Sequence, residues 1–217
     1  SEWVQEIRLN SDCRQIDFIT EVDWRESHKL LKVNFPLNIQ TDEMYNEIQF
    51  GYIKRPMHQS RQYDADRFEV CQHKWSAMVE NGRGGALLND CKYGISGREH
   101  SLNLTLLKAG KAPDAHADMG RHTMTYSLYL WKGAFMDSGV VNKAYELNTK
   151  VRIAGGNHGT GSFMTVDKKN IVVEAVKYAY DGSPDIILRL YESGNTWTRA
   201  SLKINDGKWD IYETDML

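Results

Sequence analysis

The segment Leu87-Leu88-Asn89-Asp90-Cys91-Lys92-Tyr93-Gly94 passes from an apolar, strand-like stretch straight into amide, carboxylate, thiol, ammonium and phenol groups, then ends on glycine. Binding groups are often carried this way, on a polar loop supported by a rigid sheet. An ordinary Asn-Asp turn, whose side chains satisfy their own backbone, is the alternative reading. A second segment, Ala112-Pro113-Asp114-Ala115-His116-Ala117-Asp118-Met119-Gly120-Arg121-His122, holds two carboxylates and two imidazoles within nine residues. Asp114, His116 and Asp118 alternate as ligands converging from an extended loop would, but without a recognised metal spacing they read as a solvated loop.

Other nucleophilic or phosphate chemistry finds little support. No GxSxG elbow is present, and Cys71 falls in the strand-like pattern of Phe68 and Val70, where a buried thiol is inert. The Gly-rich run 154–162 is followed by no GK[ST] and has no strand-to-helix setting, so it reads as a connection. His58, just after Arg55-Pro56-Met57, reads as a loop or interface residue. Paired carboxylates for glycoside cleavage need a spatial separation of roughly 5 to 10 Å, which chain spacing does not reveal. Trp3, Trp24, Trp75, Trp131, Trp197 and Trp209 could stack on sugar rings, although in an all-β chain most are expected in the core. Asn103-Leu104-Thr105 matches a glycosylation acceptor inside a strand pattern and is taken as chance.

These groups must be positioned by strands. Period-two alternation, in which successive side chains point to opposite faces, recurs in 15–24, 102–106, 124–130, 186–190 and 196–204. Shorter candidates are 30–35, 45–52, 67–74, 85–89, 171–180 and 208–213, giving about a dozen strands at sandwich spacing. Only 138–147 has helical spacing, with Ser138 as its cap. Asn81-Gly82 is a turn, and Asp181-Gly182, Ser193-Gly194-Asn195 and Asp206-Gly207 are expected to join strands as hairpin turns. The expected organisation is a main β-sandwich over 1–153, a connection over 154–162 and a β-meander over 163–217.

The composition sets outer limits. At 217 residues, 41% of them hydrophobic and 26% charged, the chain should bury a sizeable core. A net charge of -2 gives no electrostatic reason to bind nucleic acid or an anionic membrane. No run of 18 apolar residues occurs, and the opening SEWVQEIRLN carries acids where a signal peptide needs an apolar stretch, so the expectation is a cytoplasmic chain. Three cysteines without a CxxC pair agree with a reducing compartment. The missing initiator Met, and an end directly after a strand-like segment, suggest a piece of a longer polypeptide.

Several strings carry a resemblance. Leu30-Leu31-Lys32-Val33-Asn34-Phe35-Pro36, Glu47-Ile48-Gln49-Phe50-Gly51-Tyr52-Ile53-Lys54-Arg55-Pro56, Arg67-Phe68-Glu69-Val70-Cys71-Gln72-His73-Lys74-Trp75 and Asn89-Asp90-Cys91-Lys92-Tyr93-Gly94 occur in that order. With Asp118-Met119-Gly120-Arg121-His122, Thr125-Tyr126-Ser127-Leu128-Tyr129 and Leu188-Arg189-Leu190-Tyr191-Glu192, the chain resembles the C-terminal region of glycoside hydrolase family thirty-eight α-mannosidases, closest to their cytosolic and bacterial branch.

The resemblance implies an all-β fold, a large antiparallel sandwich of the galactose-mutarotase-like kind with a C-terminal meander. It implies a retaining, zinc-dependent parent enzyme whose zinc ligands and aspartate nucleophile reside in an N-terminal barrel followed by a helical domain, so neither catalytic nor metal residues are assigned to this chain. Asn89, Asp90, Lys92 and Tyr93 are then the first choice for a loop reaching a mannose-containing oligosaccharide, and Asp118, Arg121 and His122 the second. Arg55 and His58 would face the neighbouring domain, while an oligomeric parent stays open. A free-standing carbohydrate-binding module is the alternative, marked by a solvent-facing aromatic strip, whereas a domain of a larger enzyme should expose an apolar patch of several hundred Å². A mutarotase-like epimerase would need His73, His122 and Glu69 to converge.

Overall fold

The computed structural model describes residues 1–153, 155, 156, 159–205 and 207–215. Ala154, Asn157 and His158 of the expected connection, Asp206 of an expected turn, and Met216 and Leu217 lie outside the described residues. The strands are Glu2–Leu9 (β1), Gln15–Trp24 (β2), Leu30–Pro36 (β3), Glu43–Ile48 (β4), Gly51–Pro56 (β5), Val70–Cys71 (β6), Trp75–Glu80 (β7), Arg83–Asn89 (β8), Gly94–Arg98 (β9), Ser101–Lys108 (β10), Gly120–Lys132 (β11), Met164–Val166 (β12), Ile171–Tyr178 (β13), Ile186–Glu192 (β14) and Leu202–Ile204 (β15). Two helices, Gln62–Asp66 (α1) and Val140–Asn148 (α2), complete the set with a 3-10 turn at Phe135–Asp137.

A seven-stranded sheet runs β1-β2-β11-β8-β7-β4-β5 and faces a four-stranded sheet, β3-β10-β9-β6. Their facing sides interleave Val22, Met44, Met78, Leu87, Met124 and Tyr126 with Ile95, Leu102, Leu104 and Leu106, which defines an antiparallel β-sandwich. The outer side of the large sheet is covered too: Trp75, Ala77, Ala86, Leu88, Tyr129 and Trp131 pack against Val140 and Ala144 of α2. Burial on both faces explains why Gly84 to Leu88 of β8 reads as a continuous run without polar residues rather than an alternating one. Two further ribbons, β12-β15 and β13-β14, follow the sandwich.

The strands expected at 15–24, 30–35, 85–89, 102–106, 124–130, 171–180 and 186–190 and the helix expected at 138–147 form at or near those positions. Others differ. The single strand expected over 45–52 is the β4-β5 hairpin, turning at Gln49 and Phe50, and Phe50 takes a left-handed φ of 58°. The strand expected over 67–74 shrinks to β6, because Gln72 and His73 donate their backbone N–H groups to Tyr93 and Glu47 carbonyls instead of to a ladder. Cys71 is consequently exposed, not buried. Over 196–204 only Leu202–Ile204 forms a strand, and 208–213 belongs to no sheet among the described residues. The bend at Ser193, Gly194 and Asn195 does not join paired strands: Glu192 caps Gly194 N and Thr196 N, and Asn195 Nδ2 reaches back to the Tyr52 carbonyl at 2.7 Å. Chain spacing also gave no sign of β1, β7, β9, β12 or α1.

Candidate functional site

Residues 89–93 sit where β8 ends and its neighbour β11 continues. Asn89, only 1% exposed, is spent on the loop itself. Its Nδ2 donates to the His73 carbonyl at 2.8 Å and its Oδ1 accepts Lys92 N at 2.7 Å. Its carbonyl accepts Asn148 Nδ2 of α2 at 2.9 Å. Asp90 brackets Thr125 of β11, donating N to the Thr125 carbonyl at 3.1 Å and accepting Thr125 N on Oδ2 at 3.0 Å. Burial, then the adjacent Asp90 carboxylate, pushes the Cys91 thiol up to about 12, so it stays protonated and unreactive. Half-buried Lys92 gives its carbonyl to Gln72 Nε2 at 3.0 Å. Tyr93, 55% exposed, stands edge-on to the His73 ring with centroids 6.2 Å apart.

The loop overhangs a hollow of about 450 Å³ lined by Cys71, His73, Lys74, Asn89, Asp90, Tyr93 and Asn148. A charged support lies beside it. Glu47, 3% exposed, accepts Lys74 N at 2.6 Å on one oxygen and pairs with Lys74 Nζ at 2.9 Å on the other. The same ammonium stands 4.6 Å over the Tyr145 ring, and Tyr145 Oη meets Tyr191 Oη at 3.0 Å. Burial first, and then the Tyr145 hydroxyl, raise the Tyr191 phenol well above its ordinary value, so it remains a neutral hydrogen-bonding group. Glu47, Lys74, Tyr145 and Asn148 were missed by sequence reasoning. The one available signal was a carboxylate at Glu47 on the same strand face as the packed Tyr45; its partner 27 residues on is visible only in the fold.

The second cluster is placed elsewhere. Asp118, left-handed at φ 57°, accepts Lys108 N on Oδ2 at 2.6 Å, and its carbonyl lies 2.8 Å from His122 Nε2. Arg121 is exposed opposite Asp23. Asp118 and His122 therefore meet, but Gly120 begins β11 five residues before Thr125, roughly 17 Å along the strand from the Asp90 bracket. Arg55 Nη1 donates to Asn46 Oδ1 at 2.8 Å and the Cys71 carbonyl at 3.0 Å, and burial draws its guanidinium below the ordinary value. It lines a hollow of about 350 Å³ with His58, whose Nδ1 lies 2.9 Å from Ser60 Oγ. Glu69 and His73 line separate hollows, and His122 lines neither, so the three residues of the epimerase reading do not converge. Among the described residues no group of three or more His, Cys, Asp or Glu could hold a metal ion. Asp114 accepts His116 N at 2.8 Å, which closes that segment on itself.

The molecule is thus a two-layer antiparallel sandwich that presents a polar loop pinned from β11 and α2. Residues 1–116 match the family described as the glycosyl hydrolases family 38 C-terminal domain. Residues 170–217 match the glycosyl hydrolases family 38 C-terminal beta sandwich domain. The match over 1–116 spans more than half of the chain, which therefore belongs to the glycosyl hydrolases family 38 C-terminal domain family. It is 43% identical to alpha-mannosidase 2C1 of Homo sapiens over 217 residues, covering 95% of this chain and 21% of that protein. It is 40% identical to alpha-mannosidase G of Dictyostelium discoideum over 196 residues, 87% of this chain and 18% of that protein. The crystal structure of an alpha-mannosidase from Enterococcus faecalis V583 superposes with a TM-score of 0.79 at 16% identity, over 93% of this chain and 24% of that one, which shows a shared fold. The chain spans about a fifth of the length of the curated relatives it matches.

Proposed function

We propose that this chain is the C-terminal β-sandwich portion of an α-mannosidase that removes terminal α-mannosyl residues from oligosaccharides, serving as scaffold and as one wall of the active site. Its partners are the catalytic barrel and helical domain of the same polypeptide. The retaining chemistry and the zinc ion that the family resemblance implies belong to that portion. A cytoplasmic location agrees with three free cysteines and with the lack of any described helix long and apolar enough to cross a membrane.

The observation that carries this reading is the 89–93 loop, whose backbone is pinned from β11 and α2 while Tyr93 projects into solvent beside an open hollow. Asp118, Arg121 and His122 form a second, separate contact region, and Arg55 and His58 face the neighbouring domain. An apolar face on the β13-β14 ribbon supports a covering partner: Val176 opposite Leu188 and Tyr178 opposite Ile186, with Val176 50% and Tyr178 73% exposed.

In the full-length enzyme, Lys92→Ala and Tyr93→Ala should raise the KM for an aryl α-mannoside by about three- to ten-fold, the range that loss of one aromatic or hydrogen-bonding contact gives, with the melting temperature unchanged. Wild-type kinetics in both variants would remove the loop from the active site.

A further inference from the structure

Tyr93 is a ridge between two hollows. Behind it lies a cleft of about 780 Å³ whose lining includes Phe68, Glu69, Cys71, Tyr93, Gly94 and Lys108. Phe68 and Tyr93 present 59% and 55% of their surfaces to solvent, so two aromatic rings stand open along one cleft. In the same cleft Glu69 is held in a fixed posture, because Lys32 Nζ at 2.7 Å and Thr105 Oγ1 at 2.6 Å both bond the same oxygen, Oε2. The other oxygen, Oε1, accepts no hydrogen bond from the described residues and lies over Gly94, where an added Cβ would come within 2.5 Å of it. Glycine at 94 is what lets the carboxylate settle against the strand with Oε1 directed away from its anchors.

Flat apolar ring faces beside a fixed, half-satisfied carboxylate match a sugar, which offers a C–H face for stacking and hydroxyls that donate to an anion. A purely apolar ligand would leave Oε1 unpaired, and because Lys32 offsets the Glu69 charge while Lys29 and Lys108 also line the cleft, it is the open hydrogen-bond acceptor and not net charge that selects the ligand.

We infer that the cleft behind Tyr93 is a distal carbohydrate subsite: the part of an α-linked manno-oligosaccharide remote from the cleaved bond crosses Tyr93, stacks on Phe68 and donates a hydroxyl to Glu69 Oε1. This rests on the active-site-wall reading and extends it to substrate length. A substrate confined to one mannose and an aryl group would not reach the cleft.

The probe is α-linked mannotriose with the full-length enzyme. Cys71 is exposed at the cleft, so its alkylation rate, read by mass spectrometry of its peptide, reports occupancy without requiring turnover. Mannotriose should slow Cys71 alkylation, and Phe68→Ala and Glu69→Gln should each weaken that protection by about three- to ten-fold. The same variants should raise the ratio of KM for mannotriose to KM for aryl mannoside by a similar factor, while Tyr180→Ala, in the β13-β14 loop and outside the cleft's lining, should leave the ratio unchanged. Hydrolysis of mannotriose without any protection of Cys71 overturns the subsite and leaves the mannosidase reading standing. Protection without hydrolysis of any α-mannoside overturns the mannosidase reading and keeps the sugar site. Cys71 unreactive even without sugar would mean that another part of the enzyme covers the cleft, which also overturns the subsite.

Discussion

Glu69 illustrates how neighbours decide the charge of a half-buried group. Burial alone would favour its neutral form, but the Lys32 ammonium and the Thr105 hydroxyl outweigh it and hold the carboxyl below its ordinary 4.5. Because the folded value is depressed, the stabilisation is complete above about pH 4.5 and is lost as the pH falls through the lower folded value. The pair is partly screened, so its contribution is about 1 kcal/mol. Chemical denaturation of wild type and Glu69→Gln should therefore show a stability gap at pH 7 that narrows as the pH is taken below the ordinary 4.5. A gap that stays constant as the pH is lowered would show that the glutamine variant loses packing and not the ion pair. Asp90 acts by bonding instead of by pairing: Asp90→Ala frees Thr125 N at the end of the β8-β11 ladder. It should cost about 1 to 3 kcal/mol and lower kcat/KM in the full-length enzyme, with Asp90→Asn recovering part of both.

The ladder between β8 and β11 sets where the loop stands, and its packing is tight. Gly84 faces Trp131 so closely that a Cβ there would overlap the indole. Gly84→Ala should lower stability by about 1 to 3 kcal/mol, read as a shift of the denaturation midpoint with the slope unchanged. Strands that alternate clearly, such as β2 and β10, were legible because one face is apolar and the other wet. β1 was not, since Val4, Ile7 and Leu9 are all exposed and break any alternation. What holds β1 is its ladder with β2, together with Gln5 Nε2 donating to Tyr126 Oη at 2.7 Å across 121 residues. The same limit applied to 67–74, where alternation in the sequence was overruled by Glu69 turning to Lys32 and Thr105 and by the Gln72 and His73 backbones pairing elsewhere. The loop at 89–93 could be read as polar and strand-borne; which of its groups face inward depended on Thr125 and Asn148, 35 and 59 residues away.

Helix α2 links the distant parts of the molecule. Its inner face packs Val140 and Ala144 on the large sheet, Asn148 holds the Asn89 carbonyl, and Tyr145 receives Tyr191 from β14. An isolated two-stranded ribbon is marginal in water, so β13-β14 depends on such docking contacts for its order. Phe50 adds a second one, its ring 5.7 Å from that of Tyr191 in an edge-on arrangement. Removing only the hydroxyl with Tyr191→Phe keeps the ring contact and leaves Tyr145 Oη without this partner. The expected loss is about 0.5 to 1.5 kcal/mol. Because the ribbon has few other ties to the sandwich, amide exchange should accelerate in β13 and β14 before it changes in β8 or β11. The Lys74 ammonium stands over the Tyr145 ring, so the same variant should also loosen the 73–74 segment that lines the hollow under Tyr93. Hydrogen exchange that quickens uniformly across all strands would instead mean that the Tyr145–Tyr191 contact stabilises the fold globally and does not dock one ribbon.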